Sequence, residues 1–557
     1  MAKGKNSSSK YQGKENTTRH STIKHEEVNK QNATINDYDD QEHLNQTMDK
    51  QWVYITENTD NKKSIPAGNG LNETRRNRIV ASLGEKSEMV SIVVQAFNRL
   101  DKTRKCVENI LKYTSDIDYE LILIDNGSTD GTLEYFKSVD HPIKTVVNIT
   151  KNISSYVPLI YPLRGMYIVN ITNDTYVTKD WLKNLLICMK SDDTIGMAVP
   201  TVSNGSNMQG ADITFNSLEE MEEKAAKFNV SNPCVWHERM RLVYQLVIYR
   251  REIFDIVGII DYGFFHDFVE DDISFRIRRA GYKTVLCKDT FVHHDHVRHN
   301  MSPSELENFN NSIEAGKRDF RNKYYGVDAW DDVNNYEPNI MAMVNPKEHD
   351  SDKEINILGV DVLCGSPILE LKNKLRENYI FNPDLSGFST DPKYWLDLKT
   401  ICNKEVVVDK IEQFNQYFSN ESFDYIILGK PINFYSNSFQ LINYLIKRLK
   451  SKGHLYLKLY NSFDFTNLIK SLGGSFNSGR INEVGLYYFN YSIDDLMSEL
   501  DRLGFRSNKT IAENWPMDSN FHSFVKKIVD TSSINPNKSI TLARSTVKNY
   551  CLDIIAK

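Results

Sequence analysis

Acidic and imidazole side chains gather at four places in this 557-residue chain. Asp125-Asn126-Gly127-Ser128 and Asn170-Ile171-Thr172-Asn173-Asp174-Thr175 each end an apolar run. Glu270-Asp271-Asp272 opens a stretch with helical periodicity, and His293, His294, His296 and His299 crowd together shortly after it. Carboxylates at such positions can offer hard oxygen ligands to a divalent cation, which then acts as a Lewis acid. A carboxylate beside a hydroxyl can take its proton as general base. Each cluster also has a plainer reading. Asp125 before a glycine fits turn chemistry alone. Asp174 could cap the helix expected from about Lys179, although it stands some way before that start. Three acids in a row suit the first turn of a helix, whose dipole favours negative charge there. Four histidines this close rarely complete a tetrahedral zinc site without further ligands, which leaves one at a cation or all in a solvated loop.

The apolar pattern shows which elements must hold these groups. Residues 90–94, 120–124 and 167–171 read as buried strands, while 102–113 and 132–137 carry helical spacing. Strands and helices alternating through short connections predict a parallel sheet with ligands at the strands' C-terminal ends. A second α/β unit starts near Glu354, with strands over 355–363, 423–428 and 453–459 and a helix over 438–449. Four parts follow: a polar tail (1–77), a first domain (78–334), a linker containing Pro338 and Pro346 (335–353), and a second domain (354–557). The tail is too poor in large apolar side chains to offset its ordering entropy and reads as disordered.

Composition excludes some classes of function. A formal net charge of −6 gives no reason to expect bulk electrostatic binding to nucleic acid. The seven cysteines are scattered, form no CxxC pair and suit a reducing compartment. No run approaches the roughly 18–20 apolar residues of a membrane span. The first residues lack the apolar core of a secretory signal. The expected setting is cytoplasmic, with no transmembrane segment and with peripheral membrane contact left open.

The order of the motifs resembles glycosyltransferase family 2. Ser91-Ile92-Val93-Val94-Gln95-Ala96-Phe97-Asn98-Arg99 and Ile124-Asp125-Asn126-Gly127-Ser128 look like that family's nucleotide-binding half, with Gln95-Ala96 where Pro-Thr is usual. Asn170 to Thr175 looks like its DxD region, with Thr172 in place of the first acid. The segment 268–282 resembles the helix carrying the catalytic base, and Phe291-Val292-His293-His294 falls where a histidine often meets the metal or diphosphate. The resemblance implies a GT-A fold and an inverting, metal-dependent transfer from a nucleotide sugar, usually a UDP-sugar. The acceptor would be a glycan, a lipid-linked glycan or a protein. It further implies that Ala96, Phe97, Asn98, Arg99, Asp125, Asn126, Thr172 and Asn173 line the nucleotide sugar. Asp174 and His293 would hold Mn²⁺ or Mg²⁺. Counting back from Gly281 puts Glu270 on the base position; counting forward from Phe268 puts Asp271 there, slightly the preferred choice. Trp236, His237 and Arg239 precede this helix, where an acceptor loop would lie, with packing the expected role of the tryptophan.

The second domain resembles a degenerate class I S-adenosylmethionine methyltransferase. The resemblance runs through Val360-Asp361-Val362-Leu363-Cys364-Gly365-Ser366-Pro367, Phe423 to Gly429, and Leu503-Gly504-Phe505. A cofactor loop needs glycines for close backbone approach, and Leu363 and Pro367 occupy two of those positions. Packing or acceptor presentation is therefore expected of this domain rather than S-adenosylmethionine binding. The rival readings are a bifunctional glycosyltransferase and methyltransferase, and a non-catalytic scaffold that binds a nucleotide sugar.

Overall fold

The computed structural model describes residues 51–55, 87–149, 163–258, 260–261, 263–264, 268–296, 302–350, 353–472, 491–516, 518–531 and 537–557. Two mixed α/β sheets account for most of them.

The first sheet is built from β1 (Gln51–Ile55), β2 (Ser87–Ala96), β3 (Tyr119–Asp125), β4 (Lys144–Ile149), β5 (Gly165–Thr172), β6 (Thr175–Tyr176), β7 (Ile195–Val202), β8 (Trp236–Glu238), β9 (Leu246–Arg250) and β10 (Lys283–His294). Its order is β1-β4-β3-β2-β5-β9-β7-β10-β6, with β8 paired to β10. β1 lies inside the stretch read as a disordered tail, paired in parallel to β4; the rest of 1–77 falls outside the described residues. β2 is parallel to both β3 and β5, while β9 runs antiparallel between β5 and β7. β10 is parallel to β7, so the ends of β2, β3, β5 and β10 share one edge of the sheet.

Alternation along the strands builds a core on each face. Val90, Ile92 and Val94 pack with Leu121, Leu123 and with Cys106, Val107 and Ile110 of α1 (Leu100–Tyr113). Val93, Ile122, Ile124 and Ile168 face the other way, onto Met197 and Ile273. Ile273 belongs to α2 (Val269–Arg279), the helix that opens with the acidic triplet.

The second sheet comprises β11 (Asn356–Val360), β12 (Asp384–Ser389), β13 (Val406–Val408), β14 (Phe423–Leu428), β15 (Leu449–Tyr460), β16 (Phe505–Asn514) and β17 (Val547–Ala556). The order β13-β12-β11-β14-β15-β17-β16, parallel except around β17, makes this a methyltransferase-like Rossmann domain. β11 stops at Val360, short of the expected 363, because Asp361 and Leu363 take positive φ angles of 50° and 53°.

The polar stretch read as a linker is packed. Ile340, Met343 and Val344 are buried in a core that also takes in Phe275 of α2, Phe320 of α3 (Pro303–Lys323), Tyr324 at the C-cap of α3, and Leu398 from the second domain. Glu337 is ion-paired to Lys458 of β15. Polar composition concealed this because the apolar residues of the stretch are few and closely spaced. Gly316 lets α3 approach α2: a Cβ there would overlap the ring of Phe268.

Candidate active site

The ends of β2, β3 and β5 form one ledge. Asn98 and Arg99 turn the chain out of β2 with positive φ angles of 56° and 62°. The turn is tied down by Asn98 N–H donating to Ser128 Oγ (2.8 Å) and Thr129 N–H donating to Asn98 Oδ1 (2.9 Å). Asn126 N–H donates to Ala96 O, and Asn173 N–H to Gln95 O. The Asn173 amide also donates to Asn98 O (3.0 Å) and Thr103 Oγ1 (2.7 Å). This lacework leaves Phe97 projecting, 46% exposed, at the rim. Asp125 is buried and accepts from Ser128 N–H, so turn closure is one of its roles. Burial raises the Asp125 carboxyl pKa, against the hydrogen bonds from Ser128 and Gly127. Next to it, the buried Asn126 Oδ1 has no hydrogen-bond partner among the described residues. An orphaned acceptor beside an exposed aromatic ring fits the edge and face of a nucleobase.

Asp174 lies two residues beyond the end of β5. Its carboxylate accepts from Thr172 Oγ1 (2.9 Å), pairs with Arg99 Nη1 (3.0 Å) and faces His294 Nε2 (3.5 Å). Burial alone would raise its pKa, but His294, Thr172 and Arg99 outweigh burial and hold it at about 2. The helix expected after it begins at Trp181, with Asp180 as N-cap, so Asp174 is not a helix cap.

One ligand atom from each of Asp174, His294 and His296 lies within 4.8 Å of the others. Neighbouring strand residues point to opposite faces, so only one of His293 and His294 can reach Asp174. Register decides it: β10 pairs with β6 so that His294 stands opposite Thr175 and His293 opposite Tyr176. His293 turns away, between Tyr176 and Phe215, with Nδ1 2.7 Å from Ser203 Oγ. The histidine beside Asp174 is therefore His294, in place of the expected His293. Its companion His296 stacks on it with ring centroids 5.4 Å apart. The i, i+2 spacing of His294 and His296 was the available sequence signal. His299 falls outside the described residues.

The acidic triplet is divided by its surroundings. Asp272 is fully buried and paired with Arg276 (2.8 Å) and Lys323 (2.6 Å), and it accepts from Tyr324 Oη (2.6 Å). Asp271 is buried and ion-paired to Arg241, a residue the sequence reading passed over. Burial pushes the Asp271 carboxyl up, and Arg241 pulls it back only in part. Glu270 is half-buried and is the most accessible of the three. Trp236 is buried, its indole N–H donating to Asp289 Oδ2 (2.6 Å). His237 is held neutral by burial and nearby cations, with its pKa lowered to about 3. Arg239 lies over the ring of Tyr336, 4.9 Å from its centroid.

Compared with known proteins, residues 91–254 match the family model described as Glycosyl transferase family 2. This stretch is a glycosyltransferase family 2 domain. It contains the ledge and Asp174, while α2 and the histidines lie beyond the matched residues. A poly(ribitol-phosphate) β-glucosyltransferase of Bacillus spizizenii is 28% identical over 100 residues, 17% of this chain and 16% of that protein. The chain spans less than a third of the length of the curated relatives it matches. A mannosyltransferase of Pyrobaculum calidifontis, solved with GDP-Man and Mn²⁺, aligns over 44% of this chain and 76% of its own at 15% identity, with a TM-score of 0.29. A SAM-dependent methyltransferase of Archaeoglobus fulgidus aligns over 43% of this chain and 98% of its own at 13% identity, with a TM-score of 0.25. Among the described residues, no helix is long and apolar enough to cross a membrane.

The edge of the first sheet presents a donor set that fits a divalent cation: one carboxylate and two imidazoles, with Thr172 steadying the carboxylate. The second domain offers S-adenosylmethionine no comparable fit. In its loop after β11, Gly365 is the remaining glycine, and a Cβ there would strike Ile401. Close approach is thus used for packing inside the protein. The Asp361 carboxylate is taken up by Thr390 N–H (2.7 Å), Thr390 Oγ1 (2.9 Å), Tyr435 Oη (2.9 Å) and Lys430 Nζ (3.3 Å).

Proposed function

We propose that the protein is a metal-dependent, inverting glycosyltransferase that moves a sugar from a nucleotide-sugar donor, a UDP-sugar, onto an acceptor hydroxyl. The observation that carries the reading is the convergence of Asp174, His294 and His296 beside the nucleotide ledge of Phe97, Asp125 and Asn126. Phe97 offers a face for the base, and Asn126 Oδ1 an acceptor for its edge. Ala96, Asn98, Thr172 and Asn173 hold the ledge in shape through the hydrogen bonds above. Asp174, His294 and His296 would hold the cation, which when bound neutralises the departing diphosphate. Two imidazoles beside a single carboxylate favour Mn²⁺ over Mg²⁺, which prefers all-oxygen surroundings.

Glu270 is the proposed base, with Asp271 the second candidate. A base must reach the hydroxyl it deprotonates, and Asp271 and Asp272 are both buried in ion pairs. Arg241 then steadies the first turn of α2 through Asp271. The acceptor is a glycan, a lipid-linked glycan or a protein, and the setting is the cytoplasm. The test is nucleotide release from UDP-, GDP- and dTDP-sugars with Mn²⁺, Mg²⁺ or chelator. Release from one UDP-sugar, abolished by chelator, is expected. Undiminished release in chelator would overturn the metal requirement, and absence of both release and donor binding would overturn the transferase reading.

A further inference from the structure

The helix that carries the proposed base is held from the second domain. α2 ends in Arg278 and Arg279, both buried, and both guanidiniums reach across to the second domain. Arg279 forms a two-pronged pair with Asp397, Nε to Oδ1 at 2.8 Å and Nη2 to Oδ2 at 3.1 Å. Arg278 Nη2 donates to Thr400 O (3.1 Å) and Thr400 Oγ1 (3.3 Å), while its Nη1 pairs with Glu238 of β8. Asp397 and Thr400 stand on α4 (Trp395–Ile401) in the second domain. Glu238 is in turn gripped by the second domain, through Lys372 Nζ (2.6 Å) and a mutual pair with Asn373 at 2.9 Å in each direction.

The loop that the resemblance assigns to a cofactor feeds the same contact. Gly365 packs on Ile401 of α4, and Cys364 Sγ lies 3.7 Å from Asp397 Oδ2. The residues at this position therefore secure α4 and the side chain that Arg279 needs. We propose that the methyltransferase-like domain serves as a brace for the first domain's base-bearing helix, with Asp397 and Thr400 as its positioning residues. Two planar guanidiniums clamped at the C-terminal end of α2 fix its rotation and axial position. The first turn, where Glu270 must meet the acceptor, inherits that alignment. Asp397 and Thr400 touch no reacting atom; they act through α2.

The inference rests on the transferase reading for its kinetic consequence, but its structural consequence can be measured without activity. Asp397→Asn keeps the volume and removes the charge facing Arg279. Asp424→Asn serves as the control: it too removes a buried charge from the second domain, one paired with Lys450 and Lys353 far from α2 in sequence. Hydrogen–deuterium exchange should show faster exchange over 269–279 in Asp397→Asn and unchanged exchange there in Asp424→Asn. In the nucleotide-release assay, Asp397→Asn should lower kcat by about tenfold or more, since small misplacements of a reacting group are costly. Its donor KM should stay within about twofold, because the donor ledge is built from other elements. Asp397→Glu should recover part of the loss. Unchanged exchange over 269–279 in folded Asp397→Asn would overturn the brace, as would an equal kcat loss in Asp424→Asn. A wild-type protein that releases no nucleotide would sink the transferase reading while the exchange comparison still decides the brace.

Discussion

At the residue scale, three consecutive acids share one helix turn yet have different surroundings. Asp272 is enclosed by Arg276, Lys323 and Tyr324, and Asp271 by Arg241, while Glu270 stays half-buried. Their substitutions should therefore separate cleanly. Glu270→Gln is expected to lower kcat by about 10²- to 10⁴-fold, the usual contribution of general-base catalysis, and to cost less stability than Asp271→Asn. Asp271→Asn removes the charge facing the half-buried Arg241 and should cost about 1–3 kcal/mol of stability. Steady-state kinetics beside thermal unfolding distinguishes the two. A Glu270→Gln enzyme with native kcat would pass the base role to Asp271. The identity of the acidic helix was legible from Glu270-Asp271-Asp272 and the arginines that follow. The division of labour within it was not, because it depends on Arg241 and Lys323, which lie 30 and 51 positions from Asp271 and Asp272.

At the element scale, strands were the most legible feature, because buried alternation and short connections leave few alternatives for segments such as 120–124 or 423–428. The histidine beside Asp174 is His294, one position on from the expected His293. The assignment depends on how β6 registers against β10, and β6 is a two-residue strand with almost no sequence signature. The packing of the 335–353 stretch was hidden for a related reason: its burial is supplied by distant partners such as Lys458 and Phe320. The short turn at 346–348 illustrates the point. Glu348 reaches His454 Nε2 on β15 at 3.0 Å, while His454 Nδ1 lies 2.7 Å from Asp553 of β17. Burial would lower the His454 pKa, but Asp553 and Glu348 outweigh it and raise it above its ordinary 6.5. A raised folded-state pKa means that this contribution is complete below about 6.5 and is lost as pH climbs through the higher folded value. Denaturant unfolding should show the second domain losing stability across that window, and His454→Gln should flatten the slope. A wild-type slope that survives in His454→Gln would assign the pH dependence to other groups.

At the scale of the whole molecule, the sequence indicated two α/β domains, and both sheets are present. What it did not indicate is that they share one continuous core, running from Phe275 and Tyr324 through Ile340 and Met343 to Leu398. Shared burial of this kind has no local periodicity, so domain-by-domain reading treats the connecting residues as spacer. On the proposed account, the Rossmann-like second domain, whose glycine loop packs on its own helix, acts as a brace for its neighbour. On this account the chemistry stays at the edge of the first sheet, where Asp174, His294 and His296 converge. The most direct test is to titrate Mn²⁺ into the nucleotide-release assay for wild type, Asp174→Ala, His294→Ala and His293→Ala. The account predicts that Asp174→Ala abolishes metal-dependent release while the protein remains folded. It predicts that His294→Ala raises the Mn²⁺ requirement by about 10- to 100-fold or more, and that His293→Ala changes it far less. Near-native, metal-dependent release from Asp174→Ala would contradict the central claim.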